Sequence, residues 1–354
     1  MNNENKCNDV YCSCMDLEHY SLIITTTCDT YKVFLTPCCE MALTRTTGDN
    51  IDNPNEAINN FIEFRRNMIE ENKRVYHTDD RTRIYTNQCV NCPKYIVKDW
   101  SDRSDNITFF ALSMGHAPCQ SKCIYCYNGS YNYELTDEGK EVYDKVFNFM
   151  KFLKTNDFIN KNAYCQTSSG EISIHPYKDK ILDIVDGFNV MFLSNCFKFD
   201  QGIANHLTKS PGSYINLSID SGTSVTWKKV KGFNNFYTVV SNLYKYRRYC
   251  DQTTNTQQLT LKYIVMPDVN TRCQDYLGVI KLMKKLDVRN LIISRNLCYN
   301  PDNSSDEYRY LFDCIIELAY TCRSNGLSYT LFFGGFTEDE QLFVDQQVKQ
   351  RLQI

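Results

Sequence analysis

From about Asn106 onward, short apolar runs alternate with amphipathic ones, and this alternation restricts the fold more than any other feature. Strand-like runs stand at Ile107 to Leu112, Ala163 to Gln166, Asn189 to Leu193, Tyr214 to Ile219, Leu259 to Met266 and Asn290 to Ser294. Helical patterns fill the gaps near residues 136–155, 178–187, 199–209, 232–249 and 271–286. A strand, a helix and a second strand make a parallel pair joined by a right-handed crossover. A series of such units builds a parallel sheet or an incomplete barrel. The expected fold class is α/β, a partial (β/α)6 TIM-like barrel over residues 105–300. A helix at 306–325, a strand at Ser328 to Phe333 and a helix at 337–352 form a C-terminal extension, 301–354.

Residues 1–104 have another texture. They hold eight cysteines, two short strands at Tyr20 to Thr26 and Tyr31 to Thr36, and one amphipathic helix at Asn55 to Glu71. Lys73 to Arg83 reads as a charged loop. With an apolar fraction of 42% the chain has enough to bury a core, and a net charge of −3 gives no basic field for nucleic acid. The pairs Arg65-Arg66, Lys228-Lys229 and Arg247-Arg248 are expected on solvated faces. The polar start Met1 to Lys6 is no signal segment, and no run of about eighteen apolar residues would span a membrane. Eighteen cysteines without a secretion signal argue for a reducing, cytoplasmic setting in which thiols serve metals.

The first expected barrel strand leads to Cys119, Cys123 and Cys126, with gaps of three and two residues and Tyr125 between the last two. Three thiolates so spaced can hold an iron–sulfur cube whose fourth iron has no protein ligand. Zinc is the alternative, but structural zinc sites usually add a paired Cys-x-x-Cys unit or histidines, and no fourth ligand lies close in sequence. In barrels the chemistry sits at the C-terminal ends of the strands. The loops after strands one to four carry Cys119, Gly170-Glu171, Ser194-Asn195, and Ser218 with Asp220.

The cysteine triad with its aromatic resembles the cluster motif of the radical S-adenosylmethionine enzymes. The resemblance implies a four-iron four-sulfur (4Fe-4S) cluster on Cys119, Cys123 and Cys126. It also implies S-adenosylmethionine bound at the open iron, and reductive cleavage to a 5′-deoxyadenosyl radical that takes a hydrogen atom from a substrate. Ser169-Gly170-Glu171 resembles the family's Gly-Gly-Glu motif with its first glycine replaced, and would bind the methionine amino group. Leu193-Ser194-Asn195 and Leu217-Ser218-Ile219-Asp220 resemble the endings of strands three and four, the latter meeting the ribose. Tyr125, Gly170, Glu171, Ser194, Ser218 and Asp220 are thus the expected cofactor contacts. Lys262 or Arg295 could neutralise a carboxylate.

Cys14, Cys38, Cys89 and Cys92 make a second set of four thiols, which suits a closed metal site. It resembles a SPASM or twitch auxiliary-cluster module placed before the barrel, and implies a second iron–sulfur cluster or a zinc ion. Cys12 competes with Cys14 for one position, and Cys39 with Cys38. Relatives with such modules modify peptides or proteins, or oxidise or epimerise small polar molecules. A peptide is therefore the first substrate choice and a sugar or alcohol the second, with flavodoxin or ferredoxin as electron donor. Cys298, after strand six, could donate a hydrogen atom to a substrate radical; core packing is its other reading. A non-catalytic zinc-binding interaction protein is the alternative of another class.

Overall fold

The structure, a computed structural model, describes residues 9–26, 32–38, 49–90, 92, 94–114, 117–126, 135–167, 170–253, 257–299, 301–332 and 335–353. Cys39 and Ser169, singled out in the sequence, lie outside the described residues. The chain divides into two compact units. One comprises residues 1–117, 134–169 and 179–190, the other 118–133, 170–178 and 191–354.

In the first unit β1 (Val10–Ser13) pairs antiparallel with β4 (Ile96–Asp99). A sheet runs in the order β6-β5-β2-β3, from β6 (Ile159–Thr167), β5 (Ile107–Ser113), β2 (Ser21–Thr26) and β3 (Val33–Thr36). β2 is parallel to β5 and antiparallel to β3. Leu22 sits opposite Phe110 and Ile24 opposite Leu112, all of them buried.

The long helix of this unit is α2 (Pro54–His77), which follows α1 (Met15–Glu18); α3 (Asp137–Thr155) and α4 (Lys178–Ile184) come later in the chain. Asn53 caps α2 by accepting from the Glu56 N–H, and Pro54 occupies the first turn, where no amide is needed. α2 runs six residues beyond the expected end at Glu71. Asn72 and Val75 prolong its buried stripe, so packing carries the charged segment into the helix. Arg65, expected in solvent, is buried instead. Its Nε donates to the Leu17 carbonyl (2.6 Å) and its Nη2 to that of Glu18 (2.8 Å), which satisfies the C-terminal carbonyls of α1.

The second unit holds β7 (Asn189–Leu193) from Met191 on, β8 (Tyr214–Ser218), β9 (Leu259–Val265), β10 (Asn290–Arg295) and β11 (Ser328–Leu331), which neighbour one another in that order and run parallel. The order follows the chain, as expected for successive β–α units. Between them run α5 (Gln201–Lys209), α6 (Ser224–Lys231), α7 (Phe236–Cys250), α8 (Cys273–Lys285) and α9 (Asp306–Ser324), with α10 (Glu338–Leu352) last. The α/β class and the strands expected at residues 214–219, 259–266, 290–294 and 328–333 are present. α6 was not expected. It is a separate short helix because Gly232, at φ +79°, ends it before α7 begins.

One face of this sheet is shut. Phe192, Ile215, Leu217, Leu261, Leu291 and Ile293 are at most 1% exposed, and trimming any of the leucines to alanine costs about 2–5 kcal/mol. The other face alternates with it and is only half-buried along β7 and β8. A parallel sheet packed by helices on both sides would read as continuous burial. Among the described residues no helix is long and apolar enough to cross a membrane.

Candidate metal and cofactor site

Cys119, Cys123 and Cys126 lie in the second unit, on the loop that begins at Pro118. Two main-chain bonds lay this loop along the end of α6: Lys122 N–H donates to the Lys231 carbonyl and Ile124 N–H to that of Val230, both at 3.1 Å. The approach needs a glycine at 232. A Cβ there would come 2.8 Å from the Lys122 Cβ, at a backbone angle that side chains rarely adopt. Cys126 N–H closes a turn on the Cys123 carbonyl (3.1 Å). Cys126 is exposed and the other two thiols are half-buried.

Burial pushes the Cys119 thiol up to about 11, opposed by the Ser121 N–H and reinforced by Glu171, Cys123 and Cys126. The Asn195 amide donates to its sulfur at 3.7 Å, and the Ser121 hydroxyl lies 2.9 Å from the Cys123 sulfur. Hydrogen bonds to thiolate sulfurs are a recognised means of tuning an iron–sulfur cluster.

Tyr125 joins this loop to the end of β8. Its hydroxyl donates to Asp220 Oδ2 (2.5 Å), which also takes the Lys231 ammonium (2.6 Å); the ammonium reaches the Tyr125 oxygen as well. Asp220 Oδ1 accepts from the Ile264 N–H at 2.7 Å. Asp220 and Lys231 are 0% and 2% exposed, so this is a fully enclosed ion pair. Asp220 sits at φ +45°, a conformation held because Asn270 bonds its carbonyl (3.0 Å) and also that of Ile264 (2.8 Å). The Tyr125 ring packs on Val230, Ile264 and Met266.

Glu171 joins three loops. Its N–H donates to the Pro118 carbonyl (2.8 Å). Its Oε1 accepts from the Ser173 N–H (3.1 Å) and hydroxyl (2.6 Å) and the Ser194 hydroxyl (2.9 Å), and its Oε2 from the Asn195 N–H (2.6 Å). Oε1 is saturated, while Oε2 has room for one further donor. Burial raises this carboxyl above its ordinary range despite those four donors. Gly170 precedes it at φ +60°. Ser218, half-exposed at the end of β8, stands opposite Lys262.

In the first unit Cys14, Cys38 and Cys89 line one small cavity with Leu17, Met68 and Tyr95. Glu71 positions Cys89. Its carboxylate takes the Thr86 N–H (2.7 Å) and hydroxyl (2.6 Å), and the Cys89 N–H then donates to the Thr86 carbonyl (2.9 Å). Burial alone would raise Glu71, but the Thr86 hydroxyl and the Ile84, Tyr85 and Thr86 amides outweigh it and hold the carboxyl low. Burial pushes Cys14 up to about 12, against the Leu17 N–H, with Asp16, Cys89 and Cys92 adding to it. Burial pushes Cys89 to about 12 as well, with Cys38 and Cys92 adding and Arg83 opposing. The cavity lining includes Cys14 and not Cys12.

Among the described residues no three His, Cys, Asp or Glu side chains are gathered tightly enough to grip a single ion. The ligands of a cube each bind a different iron and so stand farther apart than the ligands of one ion. Three soft donors on one loop, with amide and hydroxyl groups beside their sulfurs, fit a cluster better than a lone cation.

The structure thus joins Tyr125 to Asp220 and Glu171 to Ser194. Cys298 is exposed in the turn after β10, its N–H on Asn296 Oδ1 (3.1 Å). Arg295 pairs with Glu340 at 3.2 Å. Sequence reading missed Lys231, which follows the pair Lys228-Lys229 that reads as solvated. It also missed Asn270, whose role comes from a partner 50 residues away.

No family model matches the chain, and no curated protein matches it. Solved structures do. SuiB from Streptococcus suis bound to S-adenosylmethionine is 11% identical with a TM-score of 0.48, over 83% of this chain and 59% of that one. SuiB bound to its precursor peptide SuiA gives 11%, 0.47, 81% and 56%. A radical SAM methyltransferase from Sphaerobacter thermophilus gives 15%, 0.40, 61% and 63%. The chain spans less than two thirds of the length of each.

Proposed function

We propose that the chain is a radical S-adenosylmethionine enzyme with its cluster on Cys119, Cys123 and Cys126. One observation carries this reading. The loop bearing the three thiols is locked through Tyr125, Asp220 and Lys231 to the end of β8, so the thiols lie beside the strand ends where barrel enzymes do their chemistry. When bound, the cluster would supply the electron that cleaves S-adenosylmethionine to a 5′-deoxyadenosyl radical.

The chain's own residues hold and orient. Tyr125 fixes the height of the loop, because its hydroxyl is tied to a buried carboxylate. Glu171 offers Oε2, which accepts only the Asn195 N–H inside the protein, to the methionine ammonium as a charge-assisted hydrogen bond. Ser218 takes the ribose contact, since both oxygens of Asp220 are engaged inside the protein. Gly170 lets the backbone approach the ligand. Ser194 holds Glu171 in place.

We assign residues 1–104 to an auxiliary metal module with one cluster or zinc ion on Cys14, Cys38, Cys89 and Cys92, residues 105–300 to the core and 301–354 to an extension. The likeness of that cysteine set to SPASM-type modules supports a peptide substrate, with flavodoxin or ferredoxin as reductant. The test is anaerobic reconstitution with iron and sulfide, followed by chromatographic assay of 5′-deoxyadenosine under dithionite. The wild-type protein is expected to form it, and Cys119→Ala, Cys123→Ala or Cys126→Ala to abolish it. Full cleavage by any of the three variants would overturn the assignment, and zinc without iron would favour an interaction protein.

A further inference from the structure

The half-open face of the sheet in the second unit carries, beside Ser218, polar groups that the cofactor reading does not use. Along β8 and β9 the residues Tyr214, Asn216, Ser218, Thr260 and Lys262 share this face, with Asn216 opposite Thr260 and Ser218 opposite Lys262. Alternate positions of a strand point to one side, so these side chains form one strip.

Lys262 is half-buried in this strip. The only partner that the described residues give its ammonium is the face of Phe332, 3.7 Å from the ring centroid. A ring quadrupole attracts a cation but carries no compensating charge. Burial lowers the Lys262 ammonium from its ordinary range; Asp220 opposes this through space, but Asp220 already bears the Lys231 ion pair. Asn216 stands diagonally across from Lys262. Its amide oxygen is enclosed and without a hydrogen-bond partner among the described residues, and its NH2 meets the Met191 sulfur at 3.8 Å. That oxygen is closed to a ligand, which leaves Lys262 as the charged group of the strip that can meet one.

We propose that this strip is a substrate subsite for an acidic side chain, with the carboxylate on the Lys262 ammonium. The proposal rests on the peptide reading above and deepens it to peptides with aspartate or glutamate near the reacting residue. A cation held on a ring and lacking a carboxylate prefers an anionic ligand to its neutral isostere, because only the anion repays the desolvation of both.

The experiment compares two probes, acetyl-Gly-Glu-Gly-amide and acetyl-Gly-Gln-Gly-amide, titrated into anaerobically reconstituted protein by calorimetry or ligand-observed NMR. The glutamate peptide is expected to bind about tenfold more tightly. Lys262→Met should erase that preference and Lys262→Arg should keep part of it. Equal binding of the two peptides, or a preference that survives in Lys262→Met, overturns the subsite. If the methionine variant does not fold, by circular dichroism, the wild-type comparison and its loss of preference in high salt decide the matter. A third arm repeats the titration with saturating S-adenosylmethionine. Persistent binding is expected, whereas competition would move Lys262 to the methionine carboxylate and overturn the proposal. Formation of 5′-deoxyadenosine by the wild-type protein is read in parallel. Discrimination without cleavage sinks the radical reading and leaves an acidic-ligand site; cleavage without discrimination does the reverse.

Discussion

Replacing Lys231 with methionine keeps the length of the side chain and removes one end of an enclosed ion pair. The Nζ–Oδ2 distance is 2.6 Å, with 2% and 0% exposure at the two residues. At an effective dielectric near 20, the gross attraction at that distance is roughly 6 kcal/mol. Most of it is offset by the cost of taking both charges out of water, so the pair as a whole contributes little net stability. The variant does not remove the pair as a whole. It leaves the Asp220 carboxylate enclosed with only the Tyr125 hydroxyl and the Ile264 N–H, and such a broken pair costs about 3–5 kcal/mol. That is a large share of the 5–15 kcal/mol typical of folded domains.

The assay is urea unfolding of the metal-free protein, read as a lower midpoint at unchanged slope. The double variant Asp220→Asn/Lys231→Met should recover about 2 kcal/mol relative to Lys231→Met alone, because the uncompensated charge is gone. A cost for Lys231→Met below about 1 kcal/mol, or a double variant whose cost is the sum of the singles, would refute the reasoning. The variant should also retain less iron after reconstitution, since Tyr125 loses part of the network that fixes the cysteine loop.

Gly232→Ala should destabilise the protein by about 1–3 kcal/mol and lower iron retention, through its left-handed backbone and the clash with Lys122; unaltered thermal unfolding would contradict this. His175 is buried and its imidazole is lowered from 6.5 to about 4, so it stays neutral in the fold and takes a proton on unfolding. The unfolded chain binds more protons between those values, so stability rises with pH there and is lost as pH falls from about 6.5 towards 4, by about 3 kcal/mol in all. His175→Gln should flatten that slope in unfolding titrations at fixed temperature. Cys89→Ala should remove the metal of the first unit while leaving the iron on Cys119, Cys123 and Cys126, a partial loss seen in metal analysis. Complete loss, or none, would break the two-site assignment.

The α/β class was legible because branched and aromatic runs of strand length alternate with helical ones, and each pattern is local. That the three thiols share one loop was legible for the same reason, since their spacing is local. Helix ends were less so. α2 continued to His77 because Asn72 and Val75 found a buried surface, and a charged sequence holds no sign of that surface. Lys231 and Arg65 are the sharper cases. Arg65 sits beside Arg66 and Lys231 just past Lys228-Lys229, in runs that read as solvated, and each is buried against partners far along the chain: Tyr125 106 residues away, the Leu17 carbonyl 48.

Local chemistry therefore determined which residues could hold iron and where strands and helices would form. The tertiary structure decided which carboxylates are free and which are spent as anchors. Desolvation and hydrogen bonding at Asp220 and Glu171 depend on donors brought together by folding, and no short stretch of chain contains them.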